Sequence, residues 1–206
     1  MVRALQILRF SLCLIPFLWQ PANSGTVRVY RDSWGVPHIH GDTPNDVMFG
    51  FGYAQAEDRL EAILKNYLKA TGRLSSVFGK DYIDSDFKQR LWRHAAISQE
   101  KYLDIPSEIR SLIESYVTGI AAFMRENPGR APDWAFEPEA YHVISFGRHL
   151  EWIFLEEQVE REFQGLPPSP RSGNQWVLEP SRSADNAVVL LIDPHDFWLS
   201  DDRWYE

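Results

Sequence analysis

The sequence predicts an α+β chain that is mostly helical, with short strand pairs on either side of the helical part. Three observations point there. Apolar residues recur at steps of three and four through much of residues 43–163, period-two alternation is confined to short stretches near 26–40 and 175–192, and a Pro-rich run at 165–170 divides the two textures. The 206 residues are 44% apolar and 14% aromatic, enough for a packed core, which excludes disordered and fibrous classes. With 29 acidic against 21 basic side chains the net charge is −8, and nucleic acid is not an expected partner, because phosphate is held mainly by clustered Lys and Arg.

The first 24 residues are set apart. Arg3 and Arg9 precede an apolar run, Phe10 to Trp19, which is followed by the small residues Ala22 and Ser24. This is the pattern of a secretory signal peptide cut after Ser24. The run is shorter than the roughly 20 residues that span a bilayer, so no stable membrane anchor is expected. The only cysteine, Cys13, would leave with it. The mature chain would then be exported, periplasmic or secreted, with no thiol for a disulfide, for thiol catalysis or for a Cys-based metal site.

Each element follows in order. Val27 and Val29 alternate with Arg28 and Tyr30, Asp32 to Gly35 is a turn, and Val36 to His40 resumes an extended path that Pro37 confines to an edge, so a hairpin is expected. Thr43-Pro44-Asn45-Asp46 supplies a cap, an early Pro and an acid, which start a helix near Thr43 that runs to about Leu68, with Gly72 as its stop. Ile109, Leu112, Ile113, Tyr116, Val117, Ile120, Phe123 and Met124 define the clearest amphipathic helix, Pro106 to Glu126, ended by Asn127-Pro128-Gly129. Shorter helices are expected at 82–93, 138–145 and 148–163. Gly165-Leu166-Pro167-Pro168-Ser169-Pro170 is a connector, and strands follow at Gln175 to Leu178 and Ala187 to Ile192. Two strands alone cannot bury both faces, so this sheet reads as unfinished.

Arg31-Asp32-Ser33-Trp34-Gly35-Val36-Pro37-His38-Ile39, then Asp46, Gly50, Gly52-Tyr53-Ala54-Gln55-Ala56, Asp58-Arg59, Gly72-Arg73-Leu74 and Phe78-Gly79, resemble the start of the penicillin acylase family. These are N-terminal nucleophile hydrolases that include beta-lactam acylases and acyl-homoserine-lactone acylases. Asn174-Gln175-Trp176-Val177, Ser181-Arg182, Asp193-Pro194-His195 and Trp204-Tyr205-Glu206 resemble the opening of the family's second subunit. The resemblance implies a mostly helical first-subunit region at 25–164, a spacer at 165–171, and at 172–206 the truncated start of a four-layer αββα sandwich. It also implies a fragment whose missing downstream sequence is a partner, and an N-acyl small-molecule substrate; no cofactor is expected, although members of the family can bind calcium, whose ligands are unassigned here.

In the family a precursor cuts itself before a Ser that follows a Gly. The new terminal amine, with an ordinary pKa of about 7.7–8.0, then serves as base for its own hydroxyl, and preorganised donors hold the oxyanion. Here the junction is Arg171-Ser172-Gly173-Asn174, with Ser and Gly reversed. An ungapped register puts Gly173, which has no hydroxyl, at the nucleophile position. A one-residue bulge in the first strand would instead bring Ser172 there, with cleavage after Arg171. His195 corresponds to a position whose backbone lies near the oxyanion region. The resemblance thus leaves two readings: an exported amidase acting on beta-lactam or acyl-homoserine-lactone type substrates, or an inactive remnant that only binds acyl groups or a partner.

Four further readings come from the residues alone. His38 and His40 share a strand face without a third metal ligand and are expected to be structural. Asp58 and Arg59, adjacent on a helix, are expected in separate salt bridges. Glu156, Glu157, Glu160 and Glu162 read as a solvated face. Asp193 and His195 stand too close in sequence for an easy triad with Ser172.

Overall fold

The computed structural model describes residues 26–168 and 173–194. The expected signal peptide, Ser172, His195 and all that follows lie outside the described residues.

Strands β1 (Arg28–Arg31) and β2 (Pro37–His40) pair antiparallel from Arg28 opposite His40 to Arg31 opposite Pro37. Asp32 shapes the turn, its Oδ1 accepting from the Trp34 and Val36 N–H groups at 2.8 and 3.0 Å. The hairpin lies on Gly50 of helix α1 (Pro44–Ala70), where any Cβ would meet Val27 and Ile39 side chains within 2.7 Å. Thr43 opens α1 with a capping box: its hydroxyl accepts from Asp46 N–H while the Asp46 carboxylate accepts from Thr43 N–H. Two residues past the last helical one, Gly72 takes φ +65° in the expected stop. Inside α1, Arg59 is non-helical (φ −143°, ψ 26°), so the 27-residue helix is two pieces joined at a bend.

Helix α5 (Ser107–Glu126) crosses α1 at a reciprocal pair of glycines. A Cβ on Gly52 would stand 2.0 Å from the Tyr116 carbonyl oxygen, and one on Gly119 would stand 2.0 Å from that of Phe49. The backbones touch there because neither residue has a side chain, and this closeness brings Ala56, Leu60, Leu64 and Tyr67 against Tyr116, Val117, Ile120 and Phe123 in one buried cluster. Most of the buried aromatics serve this core. Tyr53 meets Phe123 edge-on at 5.4 Å, and Phe51 meets Tyr116 at 5.6 Å.

Between these long helices the chain is more broken than the sequence suggests. Helix α2 (Ser75–Phe78) and helix α4 (His94–Glu100) are additions to the expected α3 (Ile83–Leu91), and Arg93 in the left-handed region (φ 53°) separates α3 from α4. The two helices expected at 138–145 and 148–163 are one, α6 (Ala140–Phe163). Gly147 weakens a helix by about 1 kcal/mol relative to Ala but does not end one. Among the described residues, α6 packs on α1, α4 and α5.

Strands β3 (Gly173–Leu178) and β4 (Val189–Pro194) form a second antiparallel pair. β3 begins two residues before the expected Gln175, and β4 is shifted two residues later than expected. Trp176, Val177, Leu190 and Ile192, drawn from both faces, are all exposed.

Candidate active site

The β3–β4 ladder is the part of the structure nearest in sequence to the expected chemistry. Its register is one to one from Gly173 opposite Pro194 to Leu178 opposite Val189, with Asn174 opposite Asp193. The ladder contains no bulge, so a register change that favours Ser172 has to fall before Gly173. Ser172 and His195, outside the described residues, are the covalent neighbours of the terminal pair Gly173 and Pro194. Asn174 Nδ2 donates to Asp193 Oδ2 at 3.4 Å, a long bond across that end of the hairpin.

The residues that carried the resemblance in the helical part turn out to hold the scaffold together. Arg31 reaches from the end of β1 to Glu57 at 2.6 Å and Asp58 at 3.0 Å, and also donates to the Gly35 carbonyl at 2.8 Å. Arg130, beyond α5, donates to the Glu57 carbonyl at 2.8 Å and lies over the Phe123 ring. Two guanidinium groups from distant segments therefore meet at the bend in α1. Asp58 makes the separate salt bridge expected of it, whereas Arg59 is the bend itself. Beside it lies an open recess of about 430 Å³, lined by Glu57, Asp58, Arg59, Lys65, Phe123 and Arg130 among others. No Ser, Thr, Cys or His lines that recess, so it offers no hydroxyl, thiol or imidazole for acyl transfer.

After Gly72, Asp86 does for α2 what a helix cap does locally. This buried carboxylate of α3 accepts from the N–H groups of Leu74 and Ser75, both at 2.8 Å. Arg73 lies over the Phe136 ring at 5.7 Å.

His38 and His40 are structural: His38 lies 3.4 Å from Asp32 and His40 meets the Tyr30 ring edge-on. Among the described residues no group of three or more His, Cys, Asp or Glu converges where a metal could sit. Glu156 corrects the reading of a solvated acidic face. It is largely buried, pairs with Lys88 of α3, and accepts the Trp92 indole N–H.

A polar seam along α6 went unread in the sequence. His142, Ser145 and His149, at steps of three and four, are all buried, and His94 and Ser98 of α4 are buried as well. The ring centroids of His94 and His149 lie 6.0 Å apart. His142 Nδ1 accepts from Glu139 N–H at 2.9 Å, closing a capping box in which an imidazole takes the place normally held by Glu or Gln. Burial drives the His142 ring down to about 4, with the Glu139 carbonyl opposing and Arg73 adding to the effect. His94 is shifted downward too, by burial first and then by Arg148. The signal was present as polar residues at helical spacing, all within the two helices expected at 138–145 and 148–163.

Among the described residues no helix is long and apolar enough to cross a membrane. Comparison with known proteins brings these features together. Residues 26–206 match the sequence model of the penicillin amidase family. The chain is 30% identical to the penicillin acylase 2 proenzyme of Pseudomonas sp. (strain SE83), over 85% of this chain and 31% of that protein. It is 33% identical to the acyl-homoserine lactone acylase QuiP of Pseudomonas putida (strain KT2440), over 48% of this chain and 12% of that protein. The thermostable penicillin G acylase of Alcaligenes faecalis superposes with a TM-score of 0.53 at 27% identity, covering 69% of this chain and 86% of the other. The chain spans less than a third of the length of the curated relatives it matches. From the β1–β2 hairpin through the paired glycines of α1 and α5 to the β3–β4 ladder, this chain belongs to the penicillin amidase family.

Proposed function

We propose that the chain is the leading part of an exported amidase that hydrolyses N-acyl bonds of beta-lactam or acyl-homoserine-lactone type substrates, with Ser172 as nucleophile. The observation that carries this reading is the family match through the whole junction, residues 26–206, with Gly173 and Pro194, the sequence neighbours of Ser172 and His195, paired at one end of the β3–β4 ladder. In a precursor the Ser172 hydroxyl attacks the Arg171 carbonyl, the acyl group shifts from nitrogen to oxygen, and water releases Arg171 as a carboxylate. The amine so freed is the base for the next step. It takes the hydroxyl proton as Oγ attacks a substrate carbonyl, and the amide nitrogen leaves with a proton. Water then hydrolyses the acyl-serine ester. In this reading the His195 backbone N–H serves the oxyanion, with further donors from downstream sequence.

The solved relative supports a division near residues 165–171. Its matched chain is itself short, since 69% of this chain covers 86% of it, which suits a separate first subunit. Helices account for most of residues 26–163, the region assigned to that subunit.

A second reading rests on the regular ladder. With no bulge between 173 and 178, an ungapped register puts Gly173 at the nucleophile position, and the chain is then an inactive remnant that only binds acyl groups or a partner.

Intact mass of the gene product carrying its downstream sequence separates the two, measured beside a Ser172→Ala variant. The amidase reading expects two polypeptides, the second beginning at Ser172, and an uncut variant. A wild type that remains single, or a variant that is cut equally well, overturns the nucleophile.

A further inference from the structure

We propose that α6 is an acid-released latch, held to α1 and α4 by neutral His142 and His94 and freed when mild acid protonates them. Both rings are at most 2% exposed. His94 has no hydrogen-bond partner on either nitrogen, and neither the Oγ of Ser98, one turn further along α4, nor the Oε1 of Gln89 on α3 has one. His142 spends Nδ1 on Glu139 N–H, and its buried Nε2 has no partner. A second proton on His142 puts an N–H against the Glu139 N–H, and the Glu139 carbonyl at 3.3 Å is a poor replacement acceptor. A charged ring at either place is buried without the hydrogen bonds that would stabilise it.

The charges facing these rings do not rescue the cation. His94 faces Arg148, His149 and Glu156 of α6, the His149 ring centroid 6.0 Å away, and Arg148 opposes protonation. Glu156 favours it, but that carboxylate is already engaged by Lys88 of α3 and the Trp92 indole. His142 faces Arg73 from beyond α1, which also opposes protonation, and the rings of Tyr67, Phe136 and Tyr141. The sign follows. Both folded rings bind protons less readily than an unfolded His at about 6.5, so docking of α6 is complete above that pH and weakens as pH falls toward 4. The His142 imidazole raises the opening constant by up to about tenfold per pH unit in that window, and His94 acts in the same direction. The latch does not depend on Ser172 being a nucleophile.

Hydrogen exchange of the full chain between about pH 4.5 and 7, corrected for intrinsic rates, tests this. Protection of α4 and α6 amides should fall steeply with acid while α5 amides hold. His142→Gln keeps an acceptor for Glu139 N–H without the titration, and His94→Leu replaces an unpartnered ring by an apolar group. Together they should flatten the α6 slope to that of α5. Equal slopes for α5 and α6 in the wild type, or an unchanged slope in the double variant, overturn the latch. A readout that needs no variant is the NMR titration of the wild-type rings. Folded-state midpoints near 6.5 for His94 and His142 would also overturn it.

Discussion

Gly119→Ala adds one methyl group at the tightest point of the structure. The new Cβ would stand 2.0 Å from the Phe49 carbonyl oxygen and 2.9 Å from both the Phe49 carbonyl carbon and the Tyr53 nitrogen. An ordinary C···O contact is about 3.3 Å or more, so the two helices must part by roughly 1.3 Å. The obstacle is backbone, which cannot rotate aside as a side chain would. Separation at the crossing also loosens Tyr116, Ile120 and Phe123 against Leu60 and Leu64. Overpacking costs typically 1–3 kcal/mol, and a backbone clash belongs at or above the top of that range. Alanine in place of glycine returns about 1 kcal/mol of helix propensity. The net loss is about 2 kcal/mol or more, which for a chain of this size lowers Tm by roughly 4–8 °C. Urea and thermal melts followed by circular dichroism would measure it, with m unchanged. If Gly119→Ala matches or exceeds the wild type, helix propensity outweighs the crossing and the close approach of α1 to α5 is wrong.

The same substitution at Gly147 should go the other way. Nothing lies within 4 Å of its Cβ position and it sits inside α6 at ordinary helical φ, so Gly147→Ala should stabilise by about 0.5–1 kcal/mol, read as a higher denaturant midpoint. Asp86→Ala removes the acceptor of two buried or part-buried N–H groups and should lower stability by about 3 kcal/mol. Asp86→Asn, which keeps one carbonyl oxygen, should lose about half that by the same urea titration.

Legibility in the sequence followed the kind of residue each helix buries. α5 could be read nearly to the residue because Ile109 to Met124 repeat without interruption and Pro106 and Asn127-Pro128 punctuate both ends. The start of α1 was equally plain from Thr43 and Asp46, whose side chains interact only locally. Its bend was not, because nothing at Arg59 itself encodes it. The local geometry is held by Arg31 and Arg130, contacts that arise only in three dimensions. α4 escaped notice because its buried face is His94 and Ser98. α6 was split because Ser145, Gly147 and His149 dilute an apolar stripe that tertiary packing nonetheless buries. At the candidate site two strands were legible near 175–178 and 187–192, yet the register that sets Asn174 opposite Asp193 is a property of the hairpin as a whole and not of any one motif.

The bend in α1 also has a history in time. Arg31 can reach Glu57 and Asp58 as soon as the first sixty or so residues have been made, but Arg130 arrives some seventy residues later. At about 5–20 residues per second, that is an interval of roughly 4–14 s. During it the bend is clamped from the hairpin side alone, and Leu60, Leu64 and Tyr67 wait uncovered for residues 107–126. The nascent chain therefore presents a pre-bent, half-finished groove, and a holdase that recognises apolar helix faces has those seconds in which to bind before α5 takes its place.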